Sequence, residues 1–326
     1  MTAPASPKPV WRSPRVWVRV LGGLLLGGLL FSKLELEPVV EGLSRFTGGR
    51  LLLLALLFSL SAGLRLYRWH LQIRRMQLTT EPRRFVRTYV LGLALGAVTP
   101  LRLGELYRIS ALQKTAHTQG SVAALTAAGL VLEKGYEVVL LLLIASVGAL
   151  WGQSLPWVTA GLLALTGIGG VVLLTPLAPP AFLKPWRMLK PLWALWEPFE
   201  IARGALRLPE RMGMLLLTLL GHALNLTAGL LIYWCFGPLD PWAFLFRMPL
   251  LTLASVLPVT VGGMGLRELL AMEIFGALGF PASGAAVSAT LLFLGSNVWP
   301  LTALVWALRP AQPAEVPVSM SQESSS

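Results

Sequence analysis

Three short stretches place ionisable residues inside the most apolar parts of this chain. "TPLRLGELYR" (Thr99–Arg108) sets Arg102, Glu105 and Arg108 behind Pro100, with Gly104 between them. "LPVTVGGMGLRE" (Leu257–Glu268) sets Arg267 and Glu268 behind Pro258 and the glycines Gly262, Gly263 and Gly265. "LEKGYE" (Leu132–Glu137) sets Glu133 and Glu137 four apart, on one face of a helix, with Lys134 next to them on another face. The chemistry open to these groups is anion binding and proton exchange. Proline stops a helix and removes a donor. The N–H groups at the start of the helix that follows favour an anion, as does its dipole. An arginine beside each start adds a phosphate ligand. Two alternatives stand beside this reading. The arginines and glutamates form structural ion pairs at the centre of the protein, Arg102–Glu105 and Glu105–Arg108 at i,i+3 among them. Or the Glu133 and Glu137 carboxylates relay protons, or pair with Arg102, Arg108 or Arg267.

Other chemistries find no support in the residues. One cysteine, Cys235, forms neither an intrachain disulfide nor a multi-cysteine metal site. His70, His117 and His222 are far apart and build no HExxH pair, and no phosphate-binding P-loop or GxSxG elbow occurs. No catalytic residue, metal ligand or cofactor is expected. His222 and Asn225 share one face of a later span and read as an interhelical hydrogen bond or a proton site.

The elements that must position these groups are membrane helices. The chain is 55% hydrophobic and 13% charged, with mean hydropathy +0.68, against about 25% charge in soluble proteins. Net charge +12 belongs to cytoplasmic loops rather than to nucleic-acid binding. Full spans are expected near 16–33, 50–68, 120–150, 157–177, 212–236 and 284–308. A cleaved signal peptide is not expected. Arginine is dense at 65–87, and lysine and arginine outnumber acids at 1–19 and 184–211, which the positive-inside rule puts in the cytoplasm with both termini. Arg65, Arg68 and Trp69 of "RLYRWH" read as interface anchors, and the Trp-rich segment near 183–211 as an interfacial element.

Two apolar segments, 85–99 and 243–257, are short and end at Pro100 and Pro258. A full crossing by the first would put Arg108 and Lys114 outside. Read as re-entrant hairpins, about 85–114 from inside and about 243–279 from outside, both fit the loop charges. The expected fold is therefore all-α: six full transmembrane helices plus two re-entrant helical hairpins in an inverted-topology repeat. The first repeat covers 16–150 and the second 151–309, after a basic tail at 1–15 and before a disordered tail at 310–326. Broken helices that meet at mid-depth are a transporter pattern.

"RLYRWHLQ", "TPLRLGELYRISAL", "VLEKGYEVVLLL" and "LPVTVGGMGLRELLAMEIFGALGF" together resemble the flippase-like transmembrane region of the lysylphosphatidylglycerol synthase family. Where that family more often has Glu-Arg followed by Asp, this chain has Glu133-Lys134 and Glu137. Where it often has Pro-Gly, this chain has Pro100-Leu101. The aminoacyl-transfer domain of full-length synthases has no counterpart here, so lysine transfer is not carried over. The resemblance implies translocation of a polar or aminoacylated phospholipid, or a polyprenyl-type carrier, between leaflets of the inner membrane. Membrane lipids are then the partners, and the sequence sets no oligomeric state. The expected headgroup site comprises Arg102, Gly104, Glu105, Arg108, Glu133, Glu137, Gly262, Gly263, Gly265, Arg267 and Glu268. Competing readings are a secondary transporter of a small anionic solute and, less favoured, a membrane enzyme acting on lipids.

Overall fold

The computed structural model describes residues 34–114, 121–151, 156–175, 199–254 and 265–307, with isolated positions 25, 28, 32 and 263. The expected first span at 16–33, both tails, the tryptophans Trp186, Trp193 and Trp196, Gly262 and the Arg102 side chain lie outside the described residues. The regular elements among the described residues are helices, apart from one pair of two-residue strands.

A short helix, α1 (Leu36–Ser44), precedes the first long one. Among the described residues, four helices are long and apolar enough to cross a membrane: α2 (Gly48–Arg75), α5 (Pro156–Leu174), α6 (Leu208–Phe236) and the Ala282–Thr302 part of α9 (Ala282–Ala307). Helix α4 (Val122–Trp151) has 30 residues and is about 45 Å long. Its charges at 133, 134 and 137 sit among buried leucines and alanines. The chain is thus a polytopic helical membrane protein. Helix α1 lies between the spans expected at 16–33 and 50–68. It docks on the end of α6, where Gly42 faces the Phe236 ring and Arg45 Nη1 donates to the Cys235 carbonyl at 3.2 Å.

Helices α2 and α6 run antiparallel and cross at their middles. Arg75 pairs with Glu210 at one end (2.8 Å), Arg68 donates to Thr218 Oγ1 (2.6 Å), and the Ser61 hydroxyl donates to the Gly221 carbonyl at the centre (3.1 Å). Both helices feed two separate apolar cores. One gathers Trp69, Ile73, Phe85, Tyr89, Leu125, Tyr136 and Met214. The other gathers Leu54, Phe58, Tyr233, Phe236, Phe244 and Phe275.

Each core holds one broken helix. Helix α3 (Pro82–Val98) has 17 residues, about 25 Å, which is short of the roughly 30 Å hydrocarbon core. It ends at Thr99, whose extended backbone turns the chain into a 3-10 helix, Pro100–Ala111. The returning limb was expected to be α-helical. At twelve residues it is long for a 3-10 helix, and its tighter winding stacks side chains three apart. Strands β1 (Leu78–Thr79) and β2 (Gln113–Lys114) pair antiparallel, Leu78 opposite Lys114, so the hairpin begins and ends at one place. Its limbs touch closely. A Cβ at Gly104 would lie 2.3 Å from the Leu95 carbonyl carbon, and one at Gly96 2.7 Å from Glu105 Cγ.

The second break joins α7 (Pro241–Ala254) to α8 (Leu266–Gly276). Helix α7 lies on α4, where a Cβ at Gly148 would meet the Phe246 nitrogen at 2.4 Å. Helix α8 lies on α9, and α9 also packs on α3. The outer limb of each broken helix therefore rests on the long helix that follows the other one.

Candidate functional site

Among the described residues, the first core brings together six charged side chains from three elements. Arg68 comes from the last turns of α2, Glu105 and Arg108 from the 3-10 helix, and Glu133, Lys134 and Glu137 from α4. Glu133 bridges the two arginines: Oε1 accepts from Arg68 Nη2 at 2.8 Å and Oε2 from Arg108 Nη1 at 2.9 Å. Arg68 Nη2 also donates to Glu137 Oε1 at 2.9 Å, and Arg108 Nη2 to Glu105 Oε2 at 3.1 Å. Lys134 Nζ closes the ring, 3.0 Å from Glu137 Oε2 and 3.4 Å from Glu105 Oε1. Three cations thus face three carboxylates.

Burial grades across this network. The side chains of Arg68, Arg108 and Glu133 are 1–2% exposed, whereas Glu137 is 17% and Lys134 35% exposed. A charge this deep is stable only with a partner, so the arginine–Glu133 bridge locks α2, the hairpin and α4 together. The Arg108 guanidinium also sits over the rings of Tyr89 (4.4 Å) and Trp69 (5.2 Å), a cation–π arrangement. Three sequence expectations change here. Arg68 and Trp69 are buried in the network, not anchored at an interface. Lys134 reaches the same cluster as its neighbouring glutamates, because positions 134 and 137 are one turn apart. Gly104 serves the packing of the hairpin on itself.

The second core holds a smaller cluster at the start of α8. Gly263 and Gly265 have φ of 75° and 80°, a region that disfavours any Cβ. The Gly265 N–H donates to Glu268 Oε2 at 2.7 Å, which caps the helix. Glu268 Oε1 pairs with Arg267 and accepts from Thr290 Oγ1 of α9 at 3.2 Å. Arg267 lies over the Phe293 ring at 4.2 Å. Beside this cluster Tyr233 is fully buried among Phe244, Phe275 and Phe280, with ring centroids 4.7–5.5 Å away. The Tyr233 hydroxyl and Arg267 Nε have no hydrogen-bond partner among the described residues.

Between the cores lies a seam of uncharged polar groups. Asn225 Nδ2 donates to Ser61 Oγ at 2.6 Å, and its Oδ1 accepts from Ser296 of α9 at 3.4 Å. Asn225 is thus the interhelical hydrogen bond expected of it. His222 is not part of that bond, and its Nε2 is buried without a hydrogen-bond partner among the described residues.

Of the expected site residues, Glu105, Arg108, Glu133 and Glu137 come together in the first cluster. Gly263, Gly265, Arg267 and Glu268 come together in the second, so Arg267 pairs with Glu268 rather than with Glu133 or Glu137. Arg68, Lys134, Tyr233 and Thr290 complete the clusters and were missed. An arginine one residue before a tryptophan at a helix end carries the same signal whether it faces lipid or protein.

The model of one protein family, the lysylphosphatidylglycerol synthase transmembrane region, matches residues 16–304. The chain belongs to that family. The match spans both clusters and every helix from α1 to α8, together with nearly all of α9. No curated protein matches the sequence significantly. Membership in the lysylphosphatidylglycerol synthase transmembrane-region family makes the chain a multi-pass membrane protein in a lipid environment.

Proposed function

We propose that the protein moves lipids with polar or anionic headgroups between the leaflets of the inner membrane, without catalysing a covalent change. In this reading six helices cross fully, counting 16–33 and α4. The two broken helices are re-entrant, α3 with the 3-10 helix from the cytoplasmic side and α7 with α8 from the outer side. The halves are then an inverted repeat with cytoplasmic termini. What carries the reading is the reciprocal packing: α3 on α9 and α7 on α4. A two-fold exchange of the halves generates that pattern, and the pattern brings a charged cluster into each half of an otherwise apolar protein.

The clusters would act as two stations. On the cytoplasmic half, the exposed Lys134–Glu137 edge meets the headgroup, while Arg68, Arg108 and Glu133 hold the edge rigid. On the outer half, the Gly263 backbone and Arg267 offer donors to a phosphate. The acyl chains would stay in lipid, as a seam between helices requires and an enclosed solute cavity does not.

The test is a reconstitution. Phosphatidylcholine vesicles carrying the protein and a trace of fluorescent phosphatidylglycerol are exposed to a membrane-impermeant quencher. Wild type should expose the inner-leaflet probe, and Arg267→Ala combined with Glu105→Gln should slow the exposure at least about tenfold, the effect of losing one charge-assisted contact. Equal rates for the two proteins would remove these residues from the path.

A further inference from the structure

Helix α1 divides into three stripes. Pro38, Val39 and Gly42 form the docked side: Gly42 is buried against the Phe236 ring and the other two are half-buried. Glu37, Glu41 and Ser44 form a polar stripe, where the Ser44 hydroxyl donates to the Glu41 carbonyl and the Glu41 carboxylate pairs with Arg45. Leu36, Val40 and Leu43 form the third stripe, at i, i+4 and i+7. These three side chains are 69%, 65% and 46% exposed, so the described residues leave one aliphatic side of the helix uncovered. Contiguous aliphatic side chains on one side of a nine-residue helix call for a partner.

The placement of α1 identifies that partner. Its start lies on α9, where the Glu35 N–H donates to Ser283 Oγ at 2.8 Å. Its end lies on α6, where Gly42 meets Phe236 and Arg45 Nη1 donates to the Cys235 carbonyl. Ser283 is in the first turn of α9 and Phe236 is the last residue of α6. The helix therefore lies across the ends of two membrane spans. A third span, α2, begins at Gly48, just beyond the end of α1. The exposed Leu51, Leu52 and Leu53 open the lipid-facing side of α2 close to that start. Tryptophans mark the same level. Trp234 is exposed in the last turn of α6, and Trp242 at the start of α7 stacks on Trp151 at the end of α4, with ring centroids 5.4 Å apart. Tryptophan concentrates at the boundary between membrane and water. Helix α1 is about 14 Å long and cannot cross a hydrocarbon core of about 30 Å.

We propose that α1 is an interfacial helix: Leu36, Val40 and Leu43 seat in the acyl chains of the adjoining leaflet, and Glu37 and Glu41 face water. The uncovered stripe continues into the lipid-facing side of α2, so its occupant is lipid rather than a second copy of the chain. Residues 35–50 carry three glutamates and two arginines. Burial of the apolar stripe therefore holds the helix in place, and attraction to anionic lipid does not. A helix fixed to α6 and α9 on one side and to acyl chains on another sets the depth at which the ends of those spans sit. The seating of α1 is independent of whether the chain moves lipid.

The experiment places a nitrobenzoxadiazole probe on Val40→Cys and on Glu37→Cys in the full chain, reconstituted in phosphatidylcholine vesicles. Cys235 is buried, and wild type carried through the same labelling supplies the blank. Phosphatidylcholine bearing a nitroxide high on its acyl chain is the quencher. The probe at position 40 should lose more than about half its emission and the probe at position 37 less than half as much, because the apolar side of such a helix sits about 5–10 Å into the boundary between headgroups and acyl chains. Replacing part of the phosphatidylcholine by phosphatidylglycerol should leave both values unchanged. Leu43→Cys, on the same stripe, takes the place of Val40→Cys if that variant does not fold. Blue-shifted emission at position 40 without nitroxide quenching means that protein covers the stripe, a second copy or the segment 16–33, and overturns the inference. Emission typical of water at position 40, equal quenching at the two positions, or quenching that needs phosphatidylglycerol overturns it as well.

Discussion

In the first broken helix, Arg108 reaches a carboxylate on α4 that also holds Arg68 of α2, so one glutamate ties three elements together. In the second, Arg267 pairs with the adjacent residue Glu268, and beyond α8 the contacts are Thr290 and the Phe293 ring of α9. The first hairpin is also closed at its base by the β1–β2 pair and along its length by glycines. Similar residue types thus do different work. Charges spread over several helices fix a structure, because removing one strands the rest. Charges paired within one turn can exchange partners at small cost to the fold.

That contrast is open to attack by substitution, and stability can be followed by denaturant titration in detergent. Glu133→Ala should cost the most, about 3–5 kcal/mol, because it leaves Arg68 and Arg108 buried side by side without their shared counterion. A loss below about 1 kcal/mol would show that the network is wet and loosely held. Arg267→Ala should cost less, about 1.5–3 kcal/mol, since Glu268 keeps the Gly265 amide and Thr290. If it destabilises as much as Glu133→Ala, the two tips are equivalent and the comparison fails. Gly104→Ala should cost about 1–3 kcal/mol by forcing the 3-10 helix off Leu95, and protease sensitivity near the β1–β2 pair should rise with it. Asn225→Val, in the seam that belongs to neither tip, should cost about 0.6 kcal/mol; a larger loss would make the α2–α6 crossing the true keystone.

Much of this was legible in the residues. Long apolar runs placed α4, α5, α6 and α9 to within four positions at each end, whereas α2 continues seven residues past the expected 68, and a proline follows the short run at each break. Glu105, Arg108, Glu133 and Glu137 were placed together because charges in hydrocarbon must find each other. The partner choice was not legible. Arg68 lies in an arginine-rich helix end, where an interface anchor and a core ligand look the same, and Lys134 seemed to face away because helical spacing ignores the length of a lysine side chain. Helix α1 was hidden by three glutamates in a short stretch. Its docking depends on Gly42 meeting Phe236, a contact between residues far apart in sequence.

The sequence alone determined that the chain is a helical membrane protein with two interrupted helices, because hydropathy, proline and glycine act locally. Tertiary structure decided which charges meet. It set Glu133 between two arginines and left Arg267 with its own neighbour. Those pairings depend on how α2 crosses α6 and on which long helix supports each broken one, and both are settled by side-chain packing between segments distant in the chain.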